Sequence, residues 1–145
     1  MGNVAVLFGP CEAPFSPAVQ EQAIEAARQN ARTAGVEHLI EFDVCDFADT
    51  EVPEGKGIVV MNPDYGLRLG EIEQLEKEYK CIGDFLKQKC AGYTGYLLMG
   101  NKELSVKIGL KASRRNVFYN GKIECRLLKY ELYKGTRQPQ NSGQD

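Results

Sequence analysis

Strand-like and helix-like stretches alternate along this chain and end in a hairpin, which predicts an α/β fold with a mostly parallel sheet and a C-terminal antiparallel hairpin. Three observations carry that expectation. Short apolar runs recur at Val4–Phe8, Ile40–Val44, Gly57–Met61 and Tyr93–Met99. Between them lie segments whose apolar residues repeat at helical spacing. Near the end, Asn120-Gly121, a preferred type I′ turn pair, separates two further strand-like runs.

The elements follow in order. Val4–Phe8 reads as a buried strand closed by Gly9-Pro10. Ser16 offers a hydroxyl cap and Pro17 suits a first helical position. Val19, Ala23, Ala26, Ala27, Ala31 and Ala34 then mark a helix face, with Gly35 as its C-terminal cap. Ile40–Val44 is a second strand, and Pro53 and Gly55 place a loop before the third, Gly57–Met61. In the next helix Ile72, Leu75, Tyr79, Ile82 and Leu86 share one face, while Glu71, Glu73, Glu76, Lys77 and Lys80 cover the other. Tyr93–Met99 is a fourth strand, followed by a short helix around Glu103–Ile108. The hairpin runs from Val117 to Tyr133, and 135–145 is polar, aperiodic and expected to be disordered.

A length of 145 residues is enough for one domain with a real core, here expected over 1–134. Apolar residues are 43% and charged residues 26%, which suits a water-soluble globule. No apolar run nears the ~20 residues that span a bilayer, and no secretion signal opens the chain, so the expected compartment is the cytoplasm without membrane contact. Five scattered cysteines without a C-x-x-C pair, and one histidine, His38, argue against a disulfide framework or a zinc site. His38 itself reads as a loop or capping residue. Net charge is −2, so any nucleic acid must be met by a local patch and not by bulk charge.

Chemistry concentrates at Asn62-Pro63-Asp64-Tyr65-Gly66, directly after the third apolar run. An amide side chain, a backbone carbonyl barred from helix and an aromatic ring then share one strand tip. The Asn62 side-chain oxygen and the Pro63 carbonyl could accept the two hydrogens of an exocyclic amine, with Tyr65 stacked on the base. The bland alternative is an ordinary strand-to-loop turn, since Asn-Pro favours turn initiation. Gly55-Lys56-Gly57, which precedes a strand, reads as a turn and not as a phosphate-binding loop.

Asn62-Pro63-x-Tyr65 resembles the (N/D)-P-P-(Y/F) signature of amino-methyltransferases, with Asp64 in place of the usual second proline. The likeness extends upstream through Ala23–Ala31, Ala34-Gly35-Val36, Ile40-Glu41-Phe42 and Asp46-Phe47. Downstream it takes in Leu67–Glu71, Ile82-Gly83-Asp84-Phe85-Leu86-Lys87, Gly100-Asn101, Ser113-Arg114-Arg115 and Tyr119–Glu131. Taken together, about residues 20–133 resemble the bacterial ribosomal RNA guanine-N2 methyltransferases that carry a THUMP domain, often labelled N6-adenine DNA methylases. The resemblance implies a truncated Rossmann-like class I methyltransferase fold and S-adenosyl-L-methionine as cofactor. It also implies ribosomal RNA as substrate, with guanine N2 preferred over adenine N6. The family's THUMP region and glycine-rich cofactor loop lie upstream of the matching segments and have no counterpart in these residues, so the chain looks like the C-terminal part of such an enzyme.

By the same resemblance, Asn62, Pro63 and Tyr65 would be catalytic, and Asp46, Phe47 and Asn62 would meet the cofactor, Asp46 through the adenine amine and Phe47 against the adenine face. Asp46 is otherwise a solvated loop residue or a cap. Glu12 is a positional candidate for the ribose contact. Arg68, Arg114 and Arg115 are candidate RNA contacts, with Lys107 and Lys111 nearby; a solvated charge run is the alternative. The rival from another class is a non-catalytic methyltransferase remnant that binds no cofactor, whose unpaired sheet edges would favour a homodimer.

Overall fold

The computed structural model describes residues 4–8, 17–63 and 72–134, with backbone alone up to residue 19. Among these residues the order is β1 (Val4–Phe8), α1 (Pro17–Thr33), β2 (Ile40–Val44), β3 (Ile58–Met61), α2 (Ile72–Lys89), β4 (Thr94–Met99), α3 (Lys102–Ser105), β5 (Arg114–Asn120) and β6 (Ile123–Glu131). Single 3-10 turns cover Glu37–Leu39, Phe47–Asp49 and Val106–Ile108. The tail 135–145 lies outside the described residues.

The strands form two sheets. β1 and β2 pair in parallel, Val4 opposite Ile40 and Phe8 opposite Val44. The second sheet has the order β3-β4-β6-β5, with β3 parallel to β4 and the other two pairings antiparallel. The α/β class and the C-terminal antiparallel hairpin are as expected. The four-stranded sheet is mixed, with one parallel and two antiparallel pairings, where a mostly parallel sheet was expected; the two-stranded sheet is parallel. No helix among the described residues is long and apolar enough to cross a membrane.

One face of the four-stranded sheet holds the core. Leu97 and Met99 of β4 and Leu128 and Tyr130 of β6 pack with Leu75, Tyr79, Ile82, Phe85 and Leu86 of α2. The 4-3-4 spacing from Leu75 to Leu86 puts these side chains on one stripe, as the sequence pattern requires. Ile72, expected on the same stripe, is exposed at the helix start. Leu104 of α3 and Ile108 of the following turn close the layer.

Gly83 explains how that closure is reached. A Cβ built on Gly83 would stand 1.9 Å from the carbonyl oxygen of Ile108, so α2 touches the backbone of the 3-10 turn through a missing side chain. The hairpin turn differs by one residue from the Asn120-Gly121 expectation. Asn120 still pairs with Ile123, so the two-residue loop is Gly121-Lys122. Gly121 has φ 62°, the positive value that tight hairpin turns require at their first loop position.

Burial holds two groups in their protonated forms. It pushes the Cys90 thiol up to about 11, with Lys89 pulling weakly the other way. It pushes the Tyr130 phenol up to about 12, opposed by Arg115. The unfolded chain ionises these groups from near 9.0 and 10.0, before the folded chain does. Their contribution is therefore complete below those values and is lost as pH rises toward the folded ones.

Two predictions follow from this packing. Gly83→Ala should lower stability by about 1–3 kcal/mol in urea denaturation, because overpacking against backbone outweighs the up to ~1 kcal/mol that alanine gains in a helix. Urea titrations at pH 8 and between pH 10 and 11 should show lower stability at the alkaline end, and Cys90→Ala should remove the thiol's share of the difference.

Candidate functional site

Parallel pairing fixes where two of the candidate segments meet. Met61 of β3 lies opposite Leu97 of β4, so Asn62-Pro63 and Gly100-Asn101 leave the sheet at the same end on neighbouring strands. Carboxyl ends of parallel strands are where open α/β sheets bind ligands. Asn62 is exposed and Pro63 half-buried at the β3 tip. Tyr65, the third member of the expected catalytic group, lies outside the described residues, as do Glu12, Asp64 and Arg68.

Asn101 has a structural task. Its side-chain oxygen accepts from the backbone N–H groups of Glu103 at 2.9 Å and Leu104 at 3.4 Å, capping α3. Asp46, beyond the end of β2, does the same for the 3-10 turn Phe47–Asp49: its Oδ1 accepts from the Ala48 N–H at 2.8 Å. The cap therefore occupies one carboxylate oxygen of a half-buried Asp46 and leaves Oδ2 for another donor.

Phe47 is buried at 5% exposure, and its ring stands edge-on to Phe85 of α2 at 5.5 Å between centroids. The sequence expected this ring against a cofactor's adenine; the structure packs it into the core. Lys89 Nζ donates to the Ala48 carbonyl, a second tie between this turn and α2. Asp46 is thus carried on a turn anchored to the main core. Asn62 and Pro63 follow the end of β3, in the four-stranded sheet.

The basic residues separate. Arg114 lies opposite Lys129 and Arg115 opposite Leu128, so strand alternation sends the two arginines to opposite faces of the sheet. Lys107 pairs with Glu76 at 3.3 Å. Arg115 instead lines two adjoining grooves of about 360 and 350 Å³ between the β5–β6 hairpin and the segment 102–112. Lys102, Glu124 and Arg126 share the first groove and Lys111 the second. Lys102 and Arg126 were missed in the sequence because only the packing of α3 beside the hairpin brings them into the groove that Arg115 lines. Neither groove is lined by Asp46, Asn62 or Pro63.

The chemistry these groups offer is acceptance of hydrogen bonds at one strand end, and cationic contact at the hairpin. Truncating Phe47 to alanine should cost about 3–5 kcal/mol of stability by urea denaturation, and Asp46→Ala about 0.5–2 kcal/mol through the lost cap. A ring serving only a ligand would leave stability within about 0.5 kcal/mol of the parent.

Comparison with known proteins places this arrangement. Residues 17–129 match the family model UPF0020, an RMKL-like methyltransferase domain. The ribosomal RNA large subunit methyltransferase K/L of Syntrophotalea carbinolica is 40% identical over 115 residues, covering 77% of this chain and 16% of that protein. Among solved structures, an N6-adenine-specific DNA methylase assigned by prediction in Listeria monocytogenes superposes with a TM-score of 0.65 at 30% identity, over 77% of this chain and 28% of its own. SMU.472, a candidate methyltransferase complexed with SAH, gives a TM-score of 0.75 at 21% identity, over 92% of this chain and 32% of its own. The chain spans less than a third of the curated relatives it matches. On the family match and the shared fold, the chain belongs to the UPF0020 family of RMKL-like methyltransferase domains.

Proposed function

We propose that this chain is the substrate-facing part of a methyltransferase acting on an exocyclic amine of a base in ribosomal RNA, guanine N2 in preference to adenine N6. The observation that carries the reading is Asn62-Pro63 at the carboxyl end of a strand parallel to its neighbour, in a chain of this family. The Asn62 oxygen and the Pro63 carbonyl accept the two amine hydrogens. An aryl amine's lone pair is delocalised into its ring, and two acceptors on its hydrogens favour a pyramidal nitrogen whose pair is localised toward the methyl donor. Tyr65 stacks on the base, which must be unpaired to reach the tip. The remaining barrier is lowered by position, worth up to ~7–11 kcal/mol in well-oriented reactions.

S-adenosyl-L-methionine would supply an electrophilic methyl group on a sulfonium. The described residues fit its adenine end: Asp46 keeps one carboxylate oxygen for the adenine amine, with Asn62 as a further contact. Phe47 supports this from behind, by holding the Asp46 turn on Phe85. Arg68, Arg114 and Arg115 are assigned to RNA, the last with the strongest geometric support.

A second reading is a non-catalytic remnant that binds no cofactor, favoured by Asp64 in place of the family's usual second proline. Calorimetric titration of the chain with S-adenosylmethionine and S-adenosylhomocysteine separates the two. Saturable one-to-one binding supports the methyltransferase reading; no binding at millimolar ligand supports the remnant. On the first reading, Asn62→Ala should lower methyl transfer to ribosomal RNA about a hundredfold. Circular dichroism of Asn62→Ala should match the parent's, so that the loss is read as chemistry and not as unfolding.

A further inference from the structure

The β5–β6 hairpin carries more exposed apolar and cationic surface than its fold requires. Every residue of β5 is exposed, including Val117 at 53% and Tyr119 at 72%. Directly opposed residues of an antiparallel pair project from the same face. Arg115 opposes Leu128, Val117 opposes Arg126 and Tyr119 opposes Glu124. Since Glu124, Arg126 and Leu128 line the first groove, Arg115 and Tyr119 belong to that same face. Lys102 borders the first groove and Lys111 the second, which meet at Arg115.

Four cations against one carboxylate thus gather on one face of a chain whose net charge is −2. The carboxylate does not neutralise the site firmly. Glu124 meets Arg126 at 3.0 Å with the two side chains 47% and 34% exposed, and such pairs contribute little in water. A phosphate can displace it. Exposed Tyr119 lies at one end of the cationic row, where a base face could stack.

We propose that this face binds a single-stranded segment of RNA, with phosphates along Arg115, Arg126, Lys102 and Lys111 and a base stacked on Tyr119. The choice of RNA rests on the substrate class proposed above; the charge and the aromatic position do not. A single strand fits where a duplex does not, because paired bases present no free ring face to Tyr119. The face starts at Met99 and Gly100, on the strand next to the Asn62 tip, and runs outward over β6 to β5, so it would hold sequence flanking the target base and not the target itself.

Fluorescence anisotropy of the whole chain, without cofactor, tests this with a labelled 12-nucleotide single-stranded RNA and the same sequence as duplex. The single strand should bind more tightly. Its log affinity should fall with log salt at a slope of about −2 to −3, as three or four phosphate contacts imply. Arg115→Ala should weaken binding and reduce that slope by about 0.7. Tyr119→Ala should weaken the single strand about 5- to 150-fold and leave the duplex unchanged. Glu124→Gln should strengthen binding about two- to fivefold, by freeing Arg126. All three positions are exposed, so circular dichroism should stay at the parent's. Equal affinity for duplex and single strand with no effect at Tyr119 would overturn the proposal, as would insensitivity to both Arg115→Ala and Glu124→Gln. Because no methyl donor is present, failure here leaves the cofactor titration unaffected, and failure of that titration leaves this result standing.

Discussion

Everything described depends on burial of one helix stripe against one sheet face. Tyr79, Ile82 and Leu86 of α2 and Leu97 and Tyr130 of the sheet are each at most 2% exposed, and the candidate segments are positioned by reference to them. A fully buried side chain of this size contributes about 1.5–3 kcal/mol, so these five outweigh any single surface pair in the molecule. The same helix reaches outward to the turns. Phe85 holds Phe47, and through it Asp46; Gly83 admits the backbone at Ile108, and through it the wall of the hairpin groove. One helix therefore sets the relative placement of both candidate regions.

Several polar groups at the strand ends are occupied by the fold itself. Asn101 and one oxygen of Asp46 are engaged in capping, which satisfies backbone donors that would otherwise be unpaired. Asn62 stands at the neighbouring tip, exposed, on a strand stopped by the proline after it.

Much of the fold was legible in the sequence, because period and burial coincide. The 4-3-4 stripe of α2 and the β-branched runs Ile40–Val44 and Ile58–Met61 appear where pattern places them. What pattern missed has physical causes. The Asn120-Gly121 pair is a strong local signal, yet strand pairing of Asn120 with Ile123 displaced the turn by one residue. Adjacent arginines read as one patch, but the period of two in a strand separates Arg114 from Arg115. Phe47 was expected beside a cofactor from the family likeness, which carries no information on burial; its 3-10 turn directs the ring into the core. Lys102 and Arg126 join Arg115 only through long-range packing, which no local window contains.

β3 has a consequence of another kind. Among the described residues it is paired on one side only, and Ile58 and Val60 are 68% and 69% exposed on the face away from α2. Unpaired backbone beside two β-branched residues is a template for strand addition by any chain that arrives. Colloidal behaviour of the isolated polypeptide would then be governed by this edge and not by its well-packed interior. Solubility and thermal stability should respond to different residues: charge introduced at Ile58 or Val60 would reduce self-association at high concentration while leaving the core under α2 unchanged.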